Sequence, residues 1–317
     1  MKLIVQIPCL NEEQTIAQTL ADIPRRVPGI GEVEVLIVDD GSTDNTVAVA
    51  REAGADHVLS FPRNRGLAAA FSAGLEECLR LGADVIVHTD ADNQYRGECI
   101  PSLVQPILEG TADIVVGVRP IEDIRDFSWT KKRLQRLGSW VVRKVSNTDV
   151  ADVTSGFRAY SREAALRLTV VSAFTYTLET LIQAGRSGLA VCQVPVKTNP
   201  QTRPSRLFNS IPGYLWRSVK TIFRIYAVYE PLRFFALVGA LFFLPGLALA
   251  IRFLYYYITQ GGQGHVQSLV LAAVLMMLGV QVAVLGVLAD LIGANRKLIQ
   301  DTMYRLRRGP TRFGDRG

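Results

Sequence analysis

Residues 33–46 read VEVLIVDDGSTDNT. An apolar run rich in β-branched residues ends in two acids and a glycine. Hydroxyl and acidic residues suited to opening a helix follow. An uninterrupted apolar run fits a strand covered on both faces, as strands are in parallel sheets. The same unit stands on either side of it. Leu3–Ile7 precede Asn11-Glu12-Glu13, and Val85–Val87 precede Asp90-Ala91-Asp92. Further β-rich runs lie at Ile114–Val116 and Ala190–Val196, with helical patterns over roughly 12–22, 43–54, 66–81, 100–109 and 162–168. Strand and helix in alternation predict an α/β fold with a mostly parallel sheet. Ligands of such sheets bind beyond the carboxyl ends of the strands, so the three polar clusters predict one shared cleft.

The residues of that cleft suggest its chemistry. Ser42 or Thr43 would cap the following helix, with Asp44 in its first turn. Capping does not account for Asp39 and Asp40, which suit a base N–H or a ribose hydroxyl. Neither the dinucleotide glycine fingerprint nor the GxxxxGK[ST] phosphate loop occurs. A bound pyrophosphate would therefore need another source of positive charge. In an extended segment, residues two apart point the same way, so Asp90 and Asp92 could together hold a hard divalent cation. Mg²⁺ favours one or two carboxylates completed by phosphate oxygens and water. Gln94 follows on the same face as a further ligand or substrate contact.

The C-terminal part differs in composition. Hydrophobic residues make up 49% of the chain, and they concentrate here: no charge occurs between Arg233 and Arg252, or between His265 and Asp290. Each run approaches the ~20 residues that span a bilayer. Two buried core helices are the alternative; adjacent runs of this length favour a membrane hairpin. Arg203, Arg206, Arg217, Lys220, Arg224 and Arg233 precede it, Arg296, Lys297, Arg305, Arg307 and Arg308 follow, and the intervening ITQGGQGH carries no Lys or Arg. Both flanks are therefore expected in the cytoplasm, against anionic head groups rather than nucleic acid. Residues 207–231 place Trp216, Val219, Ile222, Phe223, Tyr226 and Ala227 at helical spacing with basic residues between them. This is an interfacial amphipathic pattern, or else a helix packed on the first domain. Gln281 predicts a polar contact between the spans or within an oligomer, and Pro245 a kink. The N-terminal MKLIVQIPCLNEE has no secretory signal pattern, so the first domain is expected to stay in the cytoplasm. Cys9, Cys78, Cys99 and Cys192 form no CxxC pair, and the three histidines suggest no zinc site.

IPCLNEE, VDDGSTDNT, FPRNRGLAAAFSAGL, TDADNQ, VVGVR and SGFRAYSREA, in this order, resemble the family 2 glycosyltransferases of GT-A fold across about residues 3–200. With the basic helix and hairpin, the chain is similar to the polyprenyl-phosphate glycosyltransferases, of dolichol-phosphate-mannose synthase or undecaprenyl-phosphate glucosyltransferase type. The resemblance implies a GT-A domain at 1–206, an interfacial helix at 207–231, a transmembrane hairpin at 232–292 and a basic cytoplasmic tail at 293–317. It implies a multi-pass protein of the inner (plasma) membrane, with two spans too small to act alone and so an expected homo-oligomer. The implied reaction is inverting, metal-dependent transfer of a sugar from a UDP- or GDP-sugar to a polyprenyl phosphate, with Mg²⁺ or Mn²⁺ as cofactor.

Roles follow from the matched motifs. Pro8, Asn11 and Glu12 would line the nucleotide pocket, Asp39 and Asp40 would meet base and ribose, and Arg65 and Gly66 would sit near base and diphosphate. Asp90, Ala91 and Asp92 would form the DxD motif, with Gln94 beside it. Arg119 and Arg158 would meet donor or acceptor phosphate, Glu179 would lie near the acceptor, and Arg203 and Arg206 would close over the donor. A lipid phosphate is largely dianionic at neutral pH and needs no base, so arginine and lysine should dominate its site; Arg119, Arg125, Lys131, Lys132, Arg133 and Arg158 are the candidates. Residues 119–136 are read as an acceptor loop or a plain solvated surface. Plainer readings remain: Gly66 only starts a helix, Gly156 only turns the chain, Arg119 or Arg158 pairs with Asp123 or Asp152, and Glu179 is an exposed helix acid. Two rival functions stand beside the lipid-phosphate one. A hydroxyl acceptor would make Glu179 the base, and a scaffold built on a decayed transferase would not turn over. A processive synthase is disfavoured, because YLWR at 214–217 lacks the glutamine of QxxRW.

Overall fold

The computed structural model describes residues 1–119, 150–170, 176–199, 220, 223–224, 226–261 and 266–308. The chain divides into two compact units, Met1–Gly213 with Met303–Gly317, and Tyr214–Thr302. Lys131, Arg133, Arg203 and Arg206, with Arg125 and Lys132, lie outside the described residues.

In the first unit the described residues form a seven-stranded sheet, ordered β3-β2-β1-β4-β6-β5-β7. The strands are β1 (Lys2–Cys9), β2 (Glu32–Asp39), β3 (His57–Ser60), β4 (Val85–His88), β5 (Ile114–Val118), β6 (Arg158–Ser161) and β7 (Val191–Pro195). Only β6 runs antiparallel to its neighbours. Helices α1 (Ile16–Asp22), α2 (Thr46–Glu52), α3 (Leu67–Arg80), α4 (Ile100–Leu108), α5 (Arg162–Arg167) and α6 (Tyr176–Arg186) accompany it. The central strands are buried on both faces: every residue from Leu3 to Cys9 and from Val85 to His88 is buried. This is the expected α/β class with a mostly parallel sheet.

Two strands were not foreseen. β3 is a four-residue edge strand, too short to show a period. β6 begins on Arg158, whose charge conceals a strand in which Arg158, Ala159 and Tyr160 are all buried. Three helices start later than their patterns: α1 at Ile16, α2 at Thr46 and α3 at Leu67. Asn11 is left-handed at φ 54° just ahead of the α1 pattern, and residues 13–15 form a turn before the helix begins.

In the second unit, α7 (Pro231–Gln260) and α8 (Val266–Arg308) are long enough to cross a membrane. Only 11% and 17% of their most apolar windows is buried, and Leu237 and Ile258 are 74% and 75% exposed. Core helices bury such faces, so the buried-core alternative fails. Glycines let the two backbones touch. A Cβ on Gly239 would stand 2.7 Å from the Gly279 carbonyl oxygen, and one on Gly279 2.8 Å from that of Gly239. Gln281 is exposed rather than packed between the helices. Of residues 207–231, those described before Glu230 are helical.

Candidate active site

β1, β2 and β4 are adjacent and parallel, so their carboxyl ends open together. The loops after β1 and β2 interlock. Asn11 N–H donates to Ser42 Oγ (3.0 Å), and Thr43 N–H donates to Asn11 Oδ1 (2.8 Å). Glu12 N–H donates to Thr46 Oγ1 (2.8 Å), and Asn45 N–H to Glu13 Oε2 (3.1 Å). Ser42 and Thr43 thus serve the neighbouring loop instead of capping α2. Asp44 does act locally, accepting from Thr46 N–H at 3.0 Å. Burial opposes its charge, but these bonds from Thr46 and Glu13 outweigh it and lower its pKa.

Pro8, Glu12, Asp39 and Asp40 are buried along this wall. Asp39 accepts from Ser42 N–H through Oδ1 (2.9 Å). Asp40 accepts from the N–H groups of Arg65 (2.7 Å) and Gly66 (2.9 Å), one per oxygen. Asp40 therefore fastens the start of α3, and Asp39 is the acid whose Oδ2 has no bond among the described residues. Gly66, at φ 92°, makes the turn into α3. The Arg65 guanidinium lies 4.8 Å from the centre of the Phe61 ring.

The segment after β4 is a turn, not an extended strand, so the alternation argument for Asp90 and Asp92 does not hold. The turn is set by Asn93 at φ 54° and by Asp92 Oδ1, which accepts from Gln94 N–H at 3.1 Å. Three elements pin it. Thr19 of α1 donates to the Ala91 carbonyl (3.0 Å), and Asn199 donates to the carbonyls of Asn93 (2.9 Å) and Gln94 (2.8 Å). Tyr95 stacks on Phe157 at 5.0 Å. The two carboxylates remain electrostatically close. Burial, and then the charge of Asp92, push Asp90 up to about 6. Among the described residues no three His, Cys, Asp or Glu side chains cluster as a metal site. Two mutually repelling acids, in a turn that also holds the buried, unpartnered Asn93 Oδ1, fit a divalent cation that takes its remaining ligands from substrate and water.

The two arginines part company. Arg119 pairs with Asp152 (Nε to Oδ2, 2.8 Å) and reaches Thr154 Oγ1 at 3.4 Å. Burial opposes its charge, but Tyr95 and Asp152 outweigh this and raise its pKa. Arg158 is fully buried. Its guanidinium donates to the carbonyls of Ser155 (2.8 Å), Thr177 (2.7 Å) and Val153 (2.8 Å) and to Thr180 Oγ1 (2.9 Å). It has no surface to offer a phosphate, which corrects the expectation of a phosphate ligand. It ties the 153–155 loop to α6. Glu179 is buried too, not an exposed helix acid, and accepts from Gln183 at 3.3 Å.

Asp152 was named only as a plain pairing partner, which it is for Arg119; sequence reading passed over Thr19, Asn199 and Tyr176. Gly156 was the available signal. A Cβ there would stand 3.1 Å from Tyr176 Oη and 3.3 Å from Asp90 Oδ2, so the glycine admits α6 to the edge of the site.

A wound α/β sheet with paired acids at the strand ends frames the site, and comparison with known proteins gives the family. The model of glycosyl transferase family 2 matches residues 4–169, and that of the GtrB C-terminal hairpin matches 230–294. The chain belongs to glycosyl transferase family 2 and is a glycosyltransferase. Glycosyltransferase AglJ of Haloferax volcanii is 30% identical over 90% of this chain and 91% of its own. A polyprenol monophosphomannose synthase of Mycolicibacterium smegmatis is 30% identical over 61% of this chain and 76% of its own. Glucosyl-3-phosphoglycerate synthase of Mycobacterium tuberculosis, solved with Mn²⁺ and UDP-glucose, is 26% identical. It matches with a TM-score of 0.54 over 71% of this chain and 78% of its own.

Proposed function

We propose that the protein transfers a sugar, with inversion, from a UDP- or GDP-sugar to a polyprenyl phosphate at the cytoplasmic face of the inner membrane. The observation that carries this reading is the coexistence of the Asp90–Asp92 pair with a C-terminal hairpin of the GtrB type. Relatives named as undecaprenyl-phosphate mannosyltransferase and polyprenol monophosphomannose synthase support the acceptor class.

Asp39 would accept an N–H or hydroxyl of the nucleoside, against a wall kept rigid by the interlocked loops. Asp90 and Asp92, with Gln94 nearby, would hold Mg²⁺ or Mn²⁺, which neutralises the diphosphate as it leaves. Arg119, oriented by Asp152, would direct its remaining N–H groups at phosphate oxygens, for which a guanidinium fork is well shaped. An acceptor phosphate oxygen attacks the anomeric carbon. The bond from that carbon to the diphosphate oxygen breaks, and the nucleoside diphosphate leaves with the electron pair. No base is needed, which agrees with the burial of Glu179. Lys131, Arg133, Arg203 and Arg206 are proposed as further phosphate-facing groups on chemistry alone. The loop between the spans is proposed to lie outside the membrane, with both flanks inside. The exposed Gln281 favours a homo-oligomer.

The test is a transfer assay on the full-length protein in detergent, with polyprenyl phosphate, Mg²⁺ or Mn²⁺ and labelled UDP- and GDP-sugars. Acid-labile label in the organic phase, lost in Asp90→Ala and Asp92→Ala, is expected. Label on a hydroxyl acceptor instead, abolished by Glu179→Gln, would reverse the assignment.

A further inference from the structure

One peptide group in the turn after β4 is held at both ends. The Asn93 carbonyl oxygen accepts from Asn199 Nδ2 at 2.9 Å. The Gln94 N–H, on the other side of the same peptide bond, donates to Asp92 Oδ1 at 3.1 Å. Asn199 also grips the next carbonyl, its own N–H donating to the Gln94 oxygen at 2.8 Å. It lies just beyond β7 and is half-buried, and its neighbour Thr198 forms an antiparallel bridge with Tyr95. Two residues distant in sequence from the turn thus border it on one side.

The partners fix the direction of these bonds. A peptide carbonyl can only accept, so the amide nitrogen of Asn199 faces it; a peptide N–H can only donate, so the Asp92 oxygen accepts. The peptide is planar, with its C=O and N–H pointing opposite ways. Holding the oxygen therefore aims the N–H, and each bond polarises the other. The turn needs such a hold. Asn93 is left-handed at φ 54°, a conformation that persists in a residue with a side chain where its surroundings impose it. Asp92 Oδ2 has no hydrogen bond among the described residues.

We propose that Asn199 is a positioning residue for the Asp92 carboxylate. Its side-chain amide sets the Asn93–Gln94 peptide, the Gln94 N–H fixes Asp92 Oδ1, and Oδ2 is left for a divalent cation. This rests on the reading of Asp92 as a metal ligand. An Asn199 that only packs the turn would affect stability alone.

The test uses full-length protein in detergent and reads free Mn²⁺ by electron paramagnetic resonance, with Mn²⁺ alone and then with UDP or GDP. Thermal unfolding is followed on the same samples. Asn199→Leu keeps the side-chain shape and removes the donor, whereas Asn199→Ala removes both. Each retains the backbone N–H that meets Gln94. Both are expected to raise the Mn²⁺ dissociation constant about five-fold, the worth of one hydrogen bond. That is less than the about 10- to 100-fold typical when a direct partner of a ligand is lost. Thr198→Val, next door and with its backbone bridge kept, should leave the constant where it is; an equal shift there would mark a general loosening and overturn the proposal. A lowered melting temperature with unchanged Mn²⁺ affinity, or failure of both Asn199 variants to fold, makes Asn199 a structural group and overturns it too, leaving the metal site intact. Wild-type protein that takes up no Mn²⁺ under either condition overturns the metal-site reading itself, and the proposal with it.

Discussion

Two carboxylates interact with Arg119, and the fold drives them in opposite directions. Asp90 is pushed up to about 6 by burial and by Asp92, whereas Arg119 holds Asp152 low against its burial. The signs differ accordingly. The Asp90 contribution to stability of the metal-free protein is fully present below the unfolded carboxylate value. It is lost as pH rises through about 6. A cation should restore it by competing with the proton. Transfer activity is therefore expected to rise with pH across this region, with a shoulder that moves to lower pH as Mg²⁺ increases; pH–rate profiles at two Mg²⁺ concentrations check this. The Asp152 contribution runs the other way, present above the unfolded value and lost as pH falls through the lowered folded one. Asp152→Asn leaves Arg119 half-buried without its partner. It should cost about 3 kcal/mol in denaturant unfolding and lower transfer as well, since the guanidinium is no longer aimed. Arg158→Lys should reduce stability with little change in the acceptor KM, because that side chain faces carbonyls rather than substrate.

Among the elements, the short ones hold the site. The 3-10 turn Gly97–Cys99 abuts α1 so closely that a Cβ on Gly97 would stand 2.0 Å from the Asp22 carbonyl oxygen. Gly97→Ala must push α1 away, and with it Thr19, which holds the Ala91 carbonyl. A loss of about 1–3 kcal/mol is expected from overpacking, with a raised Mg²⁺ requirement for transfer as the specific sign. At this scale the long apolar strands were legible from sequence because burial on both faces leaves an unbroken apolar run. β6 was hidden because it opens on a charged arginine, whose burial depends on Thr177 and Thr180 of α6 as well as on the nearby carbonyls of 153 and 155. The DxD turn was misread as extended for a related reason. The left-handed Asn93 that bends it looks like any other polar residue.

For the whole molecule, the hairpin dictates a topology experiment. Cysteine at Gly261, the left-handed residue that ends α7, should react with a membrane-impermeant maleimide from outside intact cells. Cysteine at Arg308 should react only after lysis, on a background with the four native cysteines replaced. Labelling of both from outside would refute the proposed orientation. The hairpin and the α/β class were readable because hydrophobic run length and strand–helix alternation are properties of contiguous segments. Asp90 and Asp92 were singled out in the same way, since paired acids directly after a buried strand stand out in the sequence itself. The sequence by itself therefore determined the fold class, the two long apolar helices and the acids at the strand ends. Only the tertiary structure decided that Arg119 reaches the site side while Arg158 is sealed in the core, and that Asp40 fastens a loop. Those assignments turn on which donor meets which acceptor across tens of residues, and one-dimensional patterning does not carry that information.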